Sequence, residues 1–452
     1  MSTILFAWQL GAGLGHLLRM KPLAEGLADS GHRVFMVARN LPRAAKVYAR
    51  LGVDLLQSPA KSEGPCLFRR GYSFAHLLAN VGFGTLAEIF GLVAAWRNLF
   101  ELVQPDLIVF DHSPAALLAA RGFPARRVLI GSGYCCPPDT YPLAKTRADV
   151  SPDEAVKAQC DEDRMLHRVN AILKFRMQPT LERLGQLYGD VDECFLTTFE
   201  ELDHYPGRSG AMYWGPINGS GGKSPDWAAA DGKRIFAYLK PFPMLTDLLE
   251  MLNERKYPTV IYPDGIDQGI QGRYESETLH FAKERLSMAD VGQQCDLAIL
   301  NAGHGATCDI LLAGKPILQV PLQAEQELMA KNIERLGAGQ TISARLQDQP
   351  RMEHALDDLL NNPSYTQAAQ RFAARYANFD AKVQQAQMLQ RVLELLEQPI
   401  SHGGPDTNRS GTLDARSSTF TCTSNHSFEY VGSTLSCEVD GVNQQITSTD
   451  SG

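Results

Sequence analysis

The sequence lacks the cysteine patterns that mark disulfide scaffolds and zinc sites. Nine cysteines are scattered over 452 residues, and no Cys-x-x-Cys pair or metal-type spacing occurs among them. Small secreted domains carry a denser and usually even set of cysteines. We therefore expect reduced thiols in a cytoplasmic protein.

An excess of basic residues is also missing. The formal net charge is −8, the isoelectric point is near 5.8, and no stripe or tail of lysine and arginine is present. Proteins that bind nucleic acid through its phosphates usually concentrate positive charge on one face. This balance argues against a nucleic-acid partner.

No long, uninterrupted apolar run occurs. The N-terminus lacks the basic region of a signal peptide, and its glycines lie where an apolar core would continue. The most membrane-like region, Ala75 to Phe100, is interrupted by Asn80, Glu88 and Arg97. We expect a buried or surface-lying pair of amphipathic helices there, which leaves peripheral membrane contact open.

What the chain does contain is two sets of apolar strands that alternate with helices. The first set begins at Ile4, and the second begins at Arg234 after a Gly/Ser-rich linker near Asn218. Alternation of this kind predicts parallel, doubly wound α/β sheets with ligands at the carboxyl ends of their strands. We predict Rossmann-like domains over 1–215 and 216–400, which face each other across a cleft.

Residues 401–452 differ in composition from the rest. From Arg409 onward the chain is rich in Ser and Thr and poor in large apolar residues, which rarely builds a core. We expect a disordered tail, although the alternation near Phe428–Val431 and Val439–Ile446 would suit a hairpin.

The first strand leads into the turn Gly-Ala-Gly-Leu-Gly-His, which ends at His16. A dinucleotide site would need a third glycine at that position and an acidic residue after the second strand, where Arg39 and Asn40 stand. The alternative is that His16 lies at the mouth of the cleft as a proton acceptor. His32, at the far end of the following helix, is expected to be structural.

The most informative stretch runs from Asp296 to Gly339. It reads as a strand, a Gly-rich turn, a helix, a second strand and a second helix. Backbone amides and a helix N-terminus at such a turn can hold phosphates, although a plain tight turn has the same composition. The turn itself is Asn301-Ala302-Gly303-His304-Gly305-Ala306-Thr307.

This stretch resembles the nucleotide-sugar signature of family 1, UDP-glycosyltransferase-like enzymes of bacterial type. The matching run is NAGHGATCDILLAGKPILQVPLQAEQELMA, and the N-terminal match is the run from Leu23 to Val34. Seven residues keep the identity of the signature: Gly303, Thr307, Gly314, Pro316, Pro321, Gln326 and Ala330. The resemblance implies the GT-B fold, with two Rossmann-like α/β domains.

The resemblance also implies roles for individual residues. The turn from Asn301 to Thr307, with Gly303, His304, Gly305 and Ala306, would bind the donor diphosphate, Asp309 the ribose, and Glu325 and Gln326 the donor sugar. Asn301 departs from the family, which has a histidine there. His304 lies close enough to face the phosphates instead, and Lys240, at the end of a strand, is either a further phosphate contact or a solvated lysine.

By the same resemblance, His16 is the catalytic base and Asp111 orients it. Asp111 ends the strand in PDLIVFD, where its alternative role is to cap the next helix. The apolar stretch that contains Phe74 and Phe83, together with Tyr134, would bind the acceptor, although ordinary core helices are an equal alternative. No metal or cofactor is expected, because Asp190 and Asp192 form a chance Asp-x-Asp far from the turn.

The function that follows is inverting transfer of a sugar from a nucleoside-diphosphate sugar, UDP-linked by expectation, to a hydroxyl of a small lipophilic or aromatic acceptor. Two alternatives remain. One is a non-catalytic GT-B partner protein, which the asparagine at position 301 favours. The other is a GT-B epimerase that acts on nucleotide sugars without an acceptor.

Overall fold

The computed structural model describes residues 1–399 apart from positions 12, 62, 63, 65, 70, 148, 220, 346 and 347, together with four short strands between positions 418 and 447. Two six-stranded sheets organise the described part of the chain. Each sheet is parallel throughout and carries helices on its faces. The expected α/β architecture is confirmed.

The first sheet has the strand order β3-β2-β1-β4-β5-β6, which is that of a dinucleotide-binding Rossmann sheet. Its strands are β1 (Thr3–Trp8), β2 (Arg33–Ala38), β3 (Val53–Gln57), β4 (Leu107–Asp111), β5 (Arg126–Gly131) and β6 (Glu193–Leu196). Both faces of the central strands are buried, as their continuous apolar sequences require.

Seven helices accompany the first sheet in the described residues. They are α1 (Leu14–Asp29), α2 (Leu41–Tyr48), α3 (Phe74–Leu78), α4 (Leu86–Val103), α5 (Pro114–Ala119), α6 (Pro152–Phe175) and α7 (Gln186–Gly189). The sequence predicted a pair of amphipathic helices in this region, and the chain does break after α3. A π-turn at 79–83 contains Gly82 at a φ of 119°, a backbone conformation that side-chain-bearing residues rarely adopt.

The second sheet has the order β12-β11-β10-β7-β8-β9, the same pattern with its own numbering. Its strands are β7 (Ile235–Leu239), β8 (Thr259–Pro263), β9 (Leu279–Phe281), β10 (Leu297–Leu300), β11 (Ile317–Gln319) and β12 (Gly339–Thr341). Its helices are α8 (Leu245–Glu254), α9 (Gln268–Tyr274), α10 (Met288–Gln294), α11 (His304–Leu312), α12 (Ala324–Leu336), α13 (Gln349–Asn361) and α14 (Pro363–Arg375).

The last long helix, α15 (Ala381–Glu397), returns to the first domain. Its buried residues Met388, Val392 and Leu395 join a cluster of first-domain side chains that includes Leu17 of α1. A Cβ atom at Gly26 would lie 2.6 Å from Leu389, so a glycine at this position lets the two helices approach. The resemblance to GT-B enzymes predicts that the last helix returns towards the first domain, although chain order places it within 216–400, and the packing of α15 agrees with that prediction.

The tail contains four strands, β13 (Ser418–Thr421), β14 (Ser427–Val431), β15 (Thr434–Val439) and β16 (Val442–Thr447). They pair in this order as an antiparallel sheet. This differs from the expectation of disorder for these four segments, since their alternating residues suit paired strands. The remaining tail residues, from 401 to 417 and between the strands, lie outside the described residues.

Among the described residues, no single helix is both long and apolar enough to cross a membrane. One bent pair, Phe74–Phe83 with Leu86–Val103, passes that test by length and composition, with a 73° bend between its parts. Its large side chains, including Trp96 and Phe100, are buried in the core of the first domain. Burial within a core accounts for the apolar composition of this pair.

We expect Val392→Ala to lower the free energy of unfolding by about 2 kcal/mol, because it empties a fully buried contact between α15 and the first domain. Val383→Ala is the matched control, since Val383 lies on the same helix and is 50% exposed. The control should change the free energy by less than about 0.5 kcal/mol. Urea unfolding followed by circular dichroism measures both, and equal losses would contradict the packing of α15.

Candidate active site

The two central strands of the first sheet bring His16 and Asp111 together. In the pairing of β1 with β4, Trp8 lies beside Asp111, so the turn after β1 and the end of β4 share one sheet edge. His16 enters from the first turn of α1, and its Nδ1 lies 3.0 Å from Asp111 Oδ1. The pair that the sequence predicted is therefore within hydrogen-bonding distance.

A third charged residue joins this pair, and sequence reasoning missed it. Arg19 Nη1 lies 3.2 Å from Asp111 Oδ2 and 3.4 Å from Oδ1. Arg19 follows His16 by three residues on α1, so the two side chains project from one helix face. The sequence signal that could have identified Arg19 is a cation among the apolar residues of α1. The structure shows that its neighbours Leu17 and Met20 are fully buried.

Asp111 is completely buried, and its neighbours decide its charge. Burial alone would raise its pKa, but the interactions with His16 and Arg19 outweigh burial and lower the pKa overall. Arg19 is almost as buried, with 10% of its side chain exposed, and Asp111 raises the pKa of that guanidinium against the effect of burial. The carboxylate is therefore held in its charged form.

His112 follows Asp111 and lines the same place. Its backbone has a φ of 47°, which is uncommon for a residue other than glycine. Its ring lies nearly parallel to that of His16, with centroids 6.2 Å apart, and burial, the largest influence, lowers its pKa to about 3. His112 is thus a second, neutral imidazole beside the first.

His16, Asp111 and Cys135 could in principle hold a metal ion, since one ligand atom of each lies within 4.8 Å of the others. A divalent cation would compete with Arg19 for the Asp111 oxygens. It would also have to displace the proton of Cys135, whose pKa is raised by burial and by Asp111. His16, Asp111 and Cys135 therefore fit a metal ion poorly. That the reaction uses no metal stays a prediction.

In the second domain, Asn301 ties three strand ends together. Its Oδ1 accepts from the Lys240 backbone N–H at 2.7 Å, and its Nδ2 donates to the Val320 carbonyl at 2.9 Å. These bonds join the ends of β7, β10 and β11. The sequence placed the Asn301 side chain on the diphosphate, whereas its amide is committed to the backbone here.

The helix N-terminus predicted to hold the diphosphate is present. Gly303 is the N-cap of α11 and makes no side-chain cap, so the amides of His304, Gly305 and Ala306 open the helix. Thr307 is fully buried, and its hydroxyl has no partner among the described residues. This end of α11 offers backbone donors to an anion.

His304 does not face that position freely. Its Nε2 lies 2.9 Å from Thr198 Oγ1, in the segment that follows β6 of the first domain. Burial, with help from Arg19 and His204, lowers its pKa well below the usual value, so the ring is neutral. The predicted phosphate contact by the His304 side chain is thus replaced by a hydrogen bond between the domains.

Two other residues that were predicted to bind the nucleotide sugar, Asp309 and Lys240, contact protein side chains. Asp309 Oδ1 accepts from Asn218 Nδ2 at 2.7 Å, and burial raises the pKa of Asp309 to about 6. Lys240 is about half exposed, and its Nζ lies 3.5 Å from Asp264. Lys240 therefore lies at the predicted edge of the sheet, where Asp264 balances its charge.

Glu325 and Gln326 lie in the first turn of α12. Glu325 is close enough to Arg19, Tyr134 and His204 to influence their pKa values, so its carboxylate faces the first domain. Gln326 is buried, and its Oε1 accepts from the Leu322 backbone N–H at 2.8 Å. The predicted sugar-binding pair therefore lies at the cleft, with Gln326 also closing its own loop.

The predicted acceptor residues separate into two groups. Tyr134 packs edge-on against Phe74 with ring centroids 6.1 Å apart, and Phe74 packs edge-on against His112 at 6.5 Å. Phe83 is fully buried in the core of the first domain. Tyr134 and Phe74 thus border the His16 region, although Phe74, like Phe83, is fully buried in the first-domain core, and the burial of both agrees with the core-helix alternative.

Comparison with protein families gives a match in the second domain only. Residues 281–395 match the family model described as erythromycin biosynthesis protein CIII-like, C-terminal domain. A comparison of the sequence with curated proteins finds no significant match. The matched segment contains the turn at Asn301–Thr307 and the Glu325–Gln326 pair.

Solved structures with the same fold are glycosyltransferases. The calicheamicin glycosyltransferase CalG4 has a TM-score of 0.64 and 16% identity over 87% of this chain and 98% of its own. The kitacinnamycin glycotransferase has a TM-score of 0.63 and 17% identity, covering 88% and 99%. SnogD from Streptomyces nogalater has a TM-score of 0.54 and 19% identity, covering 87% and 99%. The expected GT-B fold and resemblance are confirmed.

We expect Arg19→Met to lower the free energy of unfolding by about 3 kcal/mol near neutral pH, because it leaves a buried carboxylate without its cation. The folded-state pKa of Asp111 is lowered, so its stabilising contribution is present above the unfolded value of about 4 and is lost as the pH falls. The loss in Arg19→Met should therefore persist from neutral pH down to about pH 4 and shrink at lower pH, as the pH approaches the lowered folded-state pKa of Asp111.

Arg33→Met is the matched control, because Arg33 pairs with Asp54 at 3.3 Å and both side chains are more than half exposed. Its effect should stay below about 0.5 kcal/mol. Urea unfolding at about pH 7 and at about pH 3 measures the two variants. A loss in Arg19→Met that is independent of pH would show that Arg19 contributes only packing.

Proposed function

We propose that the protein is an inverting glycosyltransferase that moves a sugar from a nucleoside-diphosphate sugar to a hydroxyl of a small acceptor. The observation that carries the proposal is the hydrogen bond between His16 Nδ1 and the buried Asp111 carboxylate, 3.0 Å long, at the cleft edge of the first sheet. Glu325 of the second domain is close enough to Arg19 to raise the pKa of its guanidinium, and α11 begins without a side-chain cap.

His16 acts as the base. Asp111 accepts the hydrogen bond from Nδ1–H, which leaves Nε2 with the lone pair that takes the proton of the acceptor hydroxyl. The hydroxyl oxygen attacks the anomeric carbon while the bond from that carbon to the diphosphate breaks. A single displacement of this kind inverts the configuration. Gly11 leaves room for the ring, because a Cβ there would lie 2.2 Å from His16 Nε2.

The second domain stabilises the leaving diphosphate. The amides of His304, Gly305 and Ala306 and the positive end of the α11 dipole provide donors and charge. Lys240 adds a cation at the neighbouring strand end. These groups stabilise the negative charge of the leaving diphosphate, which the uncharged Asn301 side chain cannot do because its amide is bonded to the backbone. The reaction as proposed uses no metal.

Glu325 and Gln326 bind the sugar hydroxyls, and Asp309 binds the ribose after exchanging its contact with Asn218. The donor nucleoside is uridine or thymidine; one structure of the same fold is described as glycosyltransferase VinC in complex with DTDP. The acceptor is lipophilic or aromatic and lies against Tyr134 and Phe74. Another such structure is described as complexed with spinosyn aglycone, an example of an acceptor.

A cytoplasmic location agrees with this proposal, since the cysteines of the described residues are free thiols. The two rival functions have different outcomes in one experiment. Incubation with a nucleotide sugar alone would change the sugar if the protein were an epimerase, and it would give no hydrolysis of the donor if the protein were a non-catalytic partner.

We expect His16→Ala to reduce transfer by a factor of about 10² to 10⁴, because it removes the base while leaving the second domain intact. Binding of UDP or dTDP, measured by calorimetry, should be unchanged. Mass spectrometry of products from a panel of donors and aromatic acceptors measures transfer.

His32→Ala is the control on the same segment of the chain, since His32 follows α1 at its far end and accepts a hydrogen bond from the Ser2 backbone. This variant should retain transfer. Transfer that survives in His16→Ala, or nucleotide binding that disappears with it, would refute the assignment.

A further inference from the structure

A cavity of about 360 Å³ lies between the two domains, beside the proposed acceptor region. One wall comes from the segment after β5 and from the segment after β6; the other is a face of α12. Its lining residues are Pro138, Ala144, Lys145, Arg147, His204, Tyr205, Pro206, Leu328, Lys331, Asn332 and Arg335. The proposed function assigns no role to this cavity.

Positive charge dominates the lining. Lys145, Arg147, Lys331 and Arg335 are cations, and none of the described lining residues is acidic. The nearest pairing carboxylate is that of Asp149, which accepts from Arg147 Nε at 3.0 Å and from Nη2 at 2.8 Å. Asp149 therefore binds the Nε and Nη2 atoms of the guanidinium, and the third nitrogen, Nη1, makes no hydrogen bond to it.

Two buried donors in this lining have no partner among the described residues. The first is Arg147 Nη1, on a side chain that is 8% exposed. The second is His204 Nε2, on a residue that is 4% exposed. Buried donors without partners are costly, and native proteins usually satisfy them with a protein group, a water molecule or a ligand.

The protonation of His204 is fixed by its surroundings. Its Nδ1 accepts from the Tyr134 backbone N–H at 3.2 Å, so the ring proton of the neutral form lies on Nε2. Burial is the main cause that lowers the pKa of His204, which keeps the ring neutral. His204, a residue of the cavity lining, therefore carries one N–H donor without a partner among the described residues and no free ring acceptor.

The cavity adjoins the proposed reaction site through this same residue. Tyr134 packs edge-on against the His204 ring with centroids 5.6 Å apart, and Tyr134 borders the acceptor region. Asn332 of α12 donates to the Asp203 carbonyl at 2.9 Å, which fixes the two walls relative to each other. A molecule that extends from the acceptor region could reach the cations.

We infer that this cavity binds an anionic oxygen group, a carboxylate or a phosphate, which accepts from Arg147 Nη1 and His204 Nε2 and lies among the cations of the rim. The group is either part of the sugar acceptor or a free anion. The first source rests on the proposed function and would make acidic, aromatic alcohols and phenols the preferred acceptors. The second does not depend on any transfer activity.

The first experiment uses inorganic phosphate as the probe and full-length protein saturated with UDP, so that phosphate cannot occupy the donor site. Calorimetry should detect phosphate binding that Arg147→Gln weakens by about tenfold, because a charged hydrogen bond is lost. Arg147→Lys should restore part of the binding, since it keeps the charge. Arg33→Gln, which removes one charge from the exposed end of β2, should bind phosphate like the wild type.

The second experiment compares 4-hydroxybenzoate with its methyl ester as acceptors; the ester lacks the negative charge and adds one methyl group. If the anion belongs to the acceptor, the wild type should have a lower KM for the acid, and Arg147→Gln should raise that KM by about tenfold while leaving the ester unchanged. If phosphate binds at the cavity and the two acceptors behave alike, the bound group is a free anion.

The inference is overturned if phosphate binding is unaffected by Arg147→Gln and the acid and ester are also used equally. Should Arg147→Gln fail to fold, Lys331→Gln tests the same cavity from α12, where the side chain is exposed and its replacement leaves no buried gap. Absence of transfer with either acceptor would count against the proposed function alone, because phosphate binding is measured independently.

Discussion

The buried carboxylate of Asp111 is the constraint on which the first domain depends. A buried charge at the carboxyl end of a parallel strand is stable only with cations and hydrogen-bond donors around it. His16 and Arg19 supply these groups from a single helix face. The register of β1 against β4 places that helix where it can do so. The same arrangement that stabilises the charge also leaves one nitrogen of His16 available to a substrate.

The second constraint is the fixed relation between the domains. The helix α15 crosses back to pack on the first domain, and His304 bonds to Thr198 across the boundary. Asn218 in the linker holds Asp309 of α11. These contacts explain why side chains predicted to touch a nucleotide have protein partners instead. They also bring Glu325 opposite Arg19, so both domains contribute charge to one cleft.

The sequence was most informative where chemistry follows directly from order along the chain. The alternation of strands and helices predicted both sheets, and the turn at Asn301–Thr307 indicated a helix N-terminus that the structure contains. It was least informative for residues whose partners are distant. Arg19 looked like an ordinary helix residue, and Phe83 like an acceptor contact, because neither position reveals what packs on it.

Local patterns in the sequence thus determined the two α/β sheets and the glycine turns at their edges, and the family resemblance added the candidate pair of His16 with Asp111. Periodicity and turn chemistry are short-range properties, so one sequence is enough to detect them. Only the tertiary structure decided that Arg19 shares Asp111, that Asn301 ties strands, and that cations from both domains meet in one cavity. Those outcomes depend on hydrogen bonds and burial between segments far apart in the chain, which the order of residues alone does not specify.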